Sequence, residues 1–269
     1  MKRRQFLTTS AAVGLGLGLA SVEQSAAQGG RGRRKQLIEL RVYHFADQAK
    51  LAAFDQVLKT AIVPAANRIG ITPIGTFKLL AADNPGMDQD SNDLYVLIPH
   101  KGAGTLAGML EELVEGLELD AEAAKVLNAP KSDPAYVRYE SSLFLAFDQA
   151  PQVEVPTRSE SRLMQLRIYE SHNTERALKK IEMFNTGGEL AVFRECGMHP
   201  VFFGQALVGT KLPNLTYMLA FDDAEAQKAG WDKFRDHPDW KRLSGDPAYA
   251  DTVTDITNLV LRPTPASQI

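Results

Sequence analysis

Leu37-Ile38-Glu39-Leu40-Arg41-Val42-Tyr43 returns, with small changes, as Leu163-Met164-Gln165-Leu166-Arg167-Ile168-Tyr169. A second phrase also repeats: Asp133-Pro134-Ala135-Tyr136 comes back as Asp246-Pro247-Ala248-Tyr249. Each copy precedes an apolar, strand-like run that closes its half, Ser142 to Phe147 and Asn258 to Leu261. A spacing above about a hundred residues is too long for a solenoid unit and matches a small domain. The chain therefore reads as a duplicated domain.

Working outward from the first copy, Leu37, Leu40, Val42 and Phe45 predict a strand buried on both faces. Asp47 to Ile69 predicts a helix, with Leu51, Phe54, Leu58 and Ile62 on one stripe, bent or restarted at Pro64 and ended by Gly70. Strands are expected at Ile71 to Leu80 and Leu94 to Ile98, joined by a polar turn carrying Pro85-Gly86. A helix over Thr105 to Leu127 and a strand over Val137 to Phe147 follow. The second half repeats the order. A strand spans Leu163 to Glu170, then Asn173 caps a helix running to about Cys196, interrupted at Gly187-Gly188. Strands at Val201 to Val208 and Leu215 to Phe221 come next, then a helical stretch from Ala224 to Leu243, broken near His237-Pro238. Thr254 to Leu261 is the last strand. Each half reads β-α-β-β-α-β, the ferredoxin-like order. The expected class is α+β, with two such repeats, residues 37–149 and 163–262, joined by a linker at 150–162 and followed by a tail at 263–269. A sheet with helices on one face must bury the other. Two copies in one chain are expected to pack face to face as an α+β barrel.

The start of the chain predicts export. Arg3-Arg4-Gln5-Phe6-Leu7 is similar to the twin-arginine signal, followed by an apolar stretch from Thr8 to Ala20 and the small residues Ser25-Ala26-Ala27. The stretch is too short for a permanent span. Residues 1–27 read as a signal peptide and 28–36 as a flexible leader, for a periplasmic or extracellular protein. The chain has 30 basic and 33 acidic residues; without residues 1–27 it keeps 27 and 32, a formal charge of −5. That balance excludes a nucleic-acid-binding class and offers no attraction to anionic lipid. The single cysteine, Cys196, excludes an internal disulfide. That suits a protein folded in a reducing compartment before export.

The second half resembles a NIPSNAP domain of the dimeric α+β barrel superfamily. The residues that carry the likeness are Leu166-Arg167-Ile168-Tyr169, Gly197-Met198-His199-Pro200 leading to Phe203-Gly204, Asn214 to Phe221, and Trp231, Phe234 and Trp240. The first half is a looser copy that keeps Arg41, Tyr43, Gly70, Pro73, Gly75 and Tyr95 but has no tryptophan. The resemblance implies a barrel fold. It implies no one chemistry, because the superfamily hosts monooxygenases, haem proteins and isomerases.

Arg41 with Tyr43, and Arg167 with Tyr169, share a strand face in each repeat. An arginine on an apolar strand needs a partner. Two readings stand: a pocket for an anionic or carbonyl-bearing ligand, or a structural ion pair with Glu39, Glu189 or Glu195. His199, with Cys196 and Met198 beside it, reads either as a soft ligand set for copper, zinc or haem iron or as a helix end with a packed thiol. His172 reads as a base or as the neighbour of the Asn173 cap. His237 and Trp240 read as a loop that stacks on a planar ligand, or as Trp231 and Trp240 anchoring a helix. The acidic residues Glu111, Glu112, Glu115, Glu118 and Asp120 read as a solvated helix face. No P-loop, dinucleotide-binding, zincin or serine-hydrolase motif occurs. The leading expectation is a small-molecule-binding protein with its cavity between sheet and helices, existing as a monomer with an internal pseudo-dimer or as a homodimer. The alternatives are an oxidoreductase, monooxygenase-like or haem-dependent, and an interaction module that uses free strand edges. Haem or copper enters only through these alternatives, since no metal motif supports either.

Overall fold

Strands whose inward side chains are apolar at every second position close here on themselves. The computed structural model describes residues 34–269. The signal-peptide reading of residues 1–27 and most of the 28–36 leader lie outside the described residues. The first half runs β1 (Leu37–His44), α1 (Gln48–Val57), a π turn (Leu58–Ile62), α2 (Val63–Arg68), β2 (Gly75–Leu79), β3 (Asp93–His100), α3 (Ala103–Glu115), α4 (Ala121–Leu127) and β4 (Arg138–Ala146). The second runs β5 (Leu163–Glu170), α5 (Thr174–Phe184), α6 (Glu189–Glu195), β6 (His199–Val208), β7 (Asn214–Phe221), α7 (Ala224–Asp236), α8 (Pro238–Ser244) and β8 (Asp255–Pro263).

The fold is mixed α+β around an eight-stranded antiparallel barrel, in the order β1-β3-β2-β8-β5-β7-β6-β4 and back to β1. Ile38, Leu40, Phe77, Leu97, Phe144, Leu166 and Met218 point inward and form one buried core drawn from both halves. The expectation of two sheets packed face to face stops short of what is found: the halves also join edge to edge. One seam pairs β2 with β8, Phe77 opposite Pro263, and the other pairs β4 with β6 around a bulge at Leu143/Phe144. A Cβ on Gly204 would lie 2.6 Å from the Phe144 Cβ, so only glycine lets this second seam close. Closure removes the free strand edges that an edge-binding module would need.

The end where β1 begins is covered by the linker and by the residues after β8. Val153 N–H donates to Gln36 Oε1 at 2.7 Å and Glu154 N–H to the Val201 carbonyl at 2.9 Å. Gln268 N–H donates to the Ile74 carbonyl at 2.9 Å, and Ile269 is fully buried in the barrel core. The tail is thus part of the packing.

Local rules account for most boundaries. Asp47, Asp120 and Asn173 cap α1, α4 and α5 through their side-chain oxygens. Pro64 has no N–H and its ring crowds the carbonyl four residues back; the widened π turn just before it absorbs both. Three boundaries differ from expectation. The helix read over 105–127 is two helices, because Gly116 ends α3 and Asp120 starts α4. Gly187-Gly188 separates α5 from α6, with Gly188 at φ 96°, a left-handed backbone that suits glycine. β2 begins at Gly75 instead of Ile71, the residues around Pro73 forming a connection. Among the described residues no helix is long and apolar enough to cross a membrane.

Candidate functional site

Alternation puts Glu39, Arg41 and Tyr43 on the outer face of β1, and Gln165, Arg167 and Tyr169 on that of β5. Helices cover both faces, and each arginine lies in a cleft beneath them. The first cleft holds about 470 Å³ and the second about 670 Å³. Both volumes lie within the common range for small-molecule sites, roughly 300–1,000 Å³.

In the first cleft the arginine is neutralised. Arg41 Nε donates to Glu39 Oε1 at 2.6 Å and Nη2 to Oε2 at 3.2 Å, a bidentate pair. Glu39 also accepts from Ser141 Oγ at 2.7 Å and contacts His100 Nε2 at 3.1 Å. Burial alone would raise the Glu39 carboxyl, but the hydrogen bonds from His100 and Arg41 outweigh it and hold the group at about 2. Among the described residues, Arg41 is the one charged residue lining this cleft. The rest is mainly aliphatic, with Leu58, Ile62, Met109 and Leu113 among it and Tyr43 and Tyr136 at one end.

In the second cleft the same strand position carries an amide. Gln165 Oε1 accepts from Trp231 Nε1 at 2.6 Å, and Gln165 Nε2 donates to Asn258 Oδ1 at 2.7 Å. Arg167 forms no ion pair among the described residues; its Nε is buried with no hydrogen-bond partner. The guanidinium carbon lies 4.8 Å from the centre of the Trp231 ring and 5.4 Å from that of Tyr169. Nearby, Lys180 Nζ is 2.8 Å from Glu189 Oε2, and both side chains are almost wholly buried. Burial pushes the Glu189 carboxyl up, against the pull of Lys180 and Arg167. Tyr217 O–H donates to the Tyr169 oxygen at 3.0 Å, which leaves the Tyr169 proton free to donate in turn. Burial raises both phenols, so both stay protonated at neutral pH. Phe234, Trp231 and Trp240 form the aromatic wall, and Lys228 and Arg235 stand at the rim around Asp232. Of the charged lining residues four are basic and one acidic, so the second cleft is electropositive.

The structure brings Arg167, Tyr169 and Trp240 into one cleft and puts Arg41 and Tyr43 in the other. His237 is not among the lining residues of either: its Nδ1 caps α8 and its Nε2 lies 3.2 Å from Glu195. His199 is exposed at the start of β6, while Cys196 and Met198 beside it are buried, so the three do not converge. His172 is exposed beside a shallow hollow near the start of α5. Of the three acids proposed as arginine partners, Glu39 takes Arg41, Glu189 takes Lys180 and Glu195 takes His237. Trp231 both anchors α7 to the sheet and stacks on Arg167. Lys180 was not anticipated, yet it left a trace: it falls in the buried stripe of α5 with Ala177, Met183 and Phe184. Gln165 left one too, as the residue that replaces Glu39 in the repeated strand, and Tyr217 left none.

The residues present do not fit a haem or a copper ion in these clefts. Among the described residues no histidine or cysteine lines either one, and no group of three metal-ligating side chains is assembled.

Two solved structures share the fold over most of their length. One is a candidate monooxygenase from Fusobacterium nucleatum, 8% identical, TM-score 0.56, covering 86% of this chain and 93% of its own. The other is a candidate monooxygenase from Lactobacillus acidophilus, 12% identical, TM-score 0.55, covering 86% and 94%. At these identities the likeness concerns the fold alone. A NIPSNAP-like domain protein from Burkholderia xenovorans is 16% identical over 40% of this chain and 90% of its own, with a TM-score of 0.36. No curated protein matches the chain. The NIPSNAP family model matches residues 164–268, which span β5 to β8 with the second cleft and the tail beyond. Over residues 164–268 this chain is therefore similar to a NIPSNAP domain.

Proposed function

We propose that the protein is an exported small-molecule-binding protein, and that its ligand lies in the second cleft, between β5 and helices α5 to α8. The ligand has a largely apolar body and one polar group held by Arg167 and Tyr169. The observation that carries this is Arg167, which lines an aromatic cleft of about 670 Å³ and makes no ion pair among the described residues. A ligand anion there supplies the counter-charge that the protein does not. Export is supported by the twin arginine and small-residue site in residues 1–27, which the mature protein loses. Two ferredoxin-like repeats in one chain are supported by the matching strand orders, β4-β1-β3-β2 and β8-β5-β7-β6. That arrangement makes a self-contained pseudo-dimer that needs no second chain to close the barrel. A monooxygenase-like or haem-dependent reading has no histidine or thiol in either cleft to support it.

The test is extraction. The mature protein, exported through its own signal and purified without affinity metals, is examined by absorption spectroscopy and by mass spectrometry of released small molecules. A compound retained by the wild type and lost from Arg167→Ala, with the variant still folded, supports the reading. Equal retention by both variants sinks it, and a Soret band would replace it with the haem reading.

A further inference from the structure

We propose that the second cleft selects a planar aromatic carboxylate, and that Gln165 is the residue that makes it do so. This rests on the binding role proposed above and adds the chemical class and the determinant of charge. The barrel supplies its own control, because the strand registers align the two clefts residue by residue. Arg41 faces Ser141 and Val96 across its neighbours, and Arg167 faces Asn258 and Tyr217. Leu37 faces His100 where Leu163 faces Phe221. The acid that neutralises Arg41 thus becomes Gln165, and the hydroxyl and imidazole that hold that acid become Asn258 and Phe221. The one group that neutralised the first arginine is replaced by one that cannot.

The remaining charge in the second cleft does not do the job instead. Glu189 is engaged by Lys180, and Asp232 sits on the rim between Lys228 and Arg235. Arg167 therefore has no ion-pair partner of its own among the described residues, Glu189 being shared with Lys180, and this calls for an anion. The shape of the site narrows the class. The guanidinium lies over the Trp231 ring, and its Nη groups, which unlike the Nε are not closed off, are left for a planar two-oxygen acceptor. The Tyr169 proton provides a further donor, since its oxygen is already occupied as the acceptor from Tyr217. Tyr169, Trp231, Phe234 and Trp240 line the space beyond, and such walls favour a flat ring system. Gln165 acts through Arg167: it holds Trp231 against the guanidinium with a neutral carbonyl where the first cleft has a carboxylate.

Calorimetric titration of the mature protein with 2-naphthoate and 2-naphthamide tests this, because the pair share a shape and differ in charge. The wild type is expected to bind the carboxylate about tenfold or more tightly than the amide, the scale of a hydrogen bond to a charged group. Gln165→Glu rebuilds the pair of the first cleft and keeps an acceptor for Trp231. It is expected to bring the two affinities within about twofold while the amide still binds. Arg167→Gln is expected to do the same, and covers the case in which Gln165→Glu fails to fold. Equal affinities in the wild type, or a preference that survives in folded Gln165→Glu, overturn the inference and leave the binding role standing. Binding of neither compound overturns both.

Discussion

The two clefts occupy matching places on one barrel and begin from the same Arg-x-Tyr on a first strand, yet they treat the arginine in opposite ways. In the first, Glu39 holds Arg41 in two hydrogen bonds and is itself held by Ser141 and His100. In the second, Arg167 lies against aromatic rings and makes no ion pair among the described residues, and the buried acid whose charge it feels, Glu189, is paired with a lysine. The difference teaches that a repeated motif repeats a position, not a role. Arg41 is a charge paired within its own strand. Arg167 is a charge without an ion pair among the described residues. Satisfying such a group favours stability, and leaving one unsatisfied is what the proposed binding role would use.

That contrast is open to breaking, starting where the largest effect is expected. Glu189→Leu strands Lys180 without a counter-ion in the second half and should cost about 3–5 kcal/mol in chemical denaturation. Adding Lys180→Met to it should recover much of the loss; if the double variant is no better than the single, the pair is not the cause.

Next comes Glu39→Gln. A carboxyl at about 2 in the folded state, against an ordinary value of 4.5, corresponds to about 3 kcal/mol at neutral pH. Because the folded value is depressed, that stability is complete above pH 4.5 and is lost as pH falls towards 2. Unfolding midpoints followed from pH 6 to 2 should fall for the wild type through this window and stay flatter for the variant. Parallel profiles would show that Glu39 is not the group responsible.

A smaller effect is expected from Tyr217→Phe, which removes the donor to Tyr169. Stability should drop by about 1 kcal/mol, and binding of 2-naphthoate should weaken by a few-fold, because Tyr169 is then free to turn away. The smallest belongs to the rim. Lys228→Ala should leave the unfolding midpoint where it is, since the exposed pair with Asp232 is screened by water, but should slow carboxylate association at low salt. A midpoint shift comparable to that of Glu39→Gln would mean that the rim carries structure as well as charge.

Much of this molecule is legible in its residues, and the contrast shows where legibility stops. Repeated phrases, period-two and period-three-to-four apolar spacing, caps at Asp47 and Asn173 and breaks at Gly187-Gly188 and Pro238 are local signals. They mark eight strands in order and put Arg41 with Tyr43, and Arg167 with Tyr169, on shared faces. The substitution of Gln165 for Glu39 is equally visible in the repeated heptad. Its consequence is not, because a missing partner on one strand is only missing if no other element supplies one. That question was decided by packing. Glu189 pairs with Lys180 and not with Arg167, Trp231 comes from α7 to lie against the guanidinium, and Phe221 stands where His100 stands in the other half. The joining of β2 to β8 and of β4 to β6 was decided in the same way. Periodicity and capping act over a few residues and are written in the order of the chain. The pairing of charges and the closing of a barrel join residues far apart in that order, and only the folded structure brings them within reach of one another.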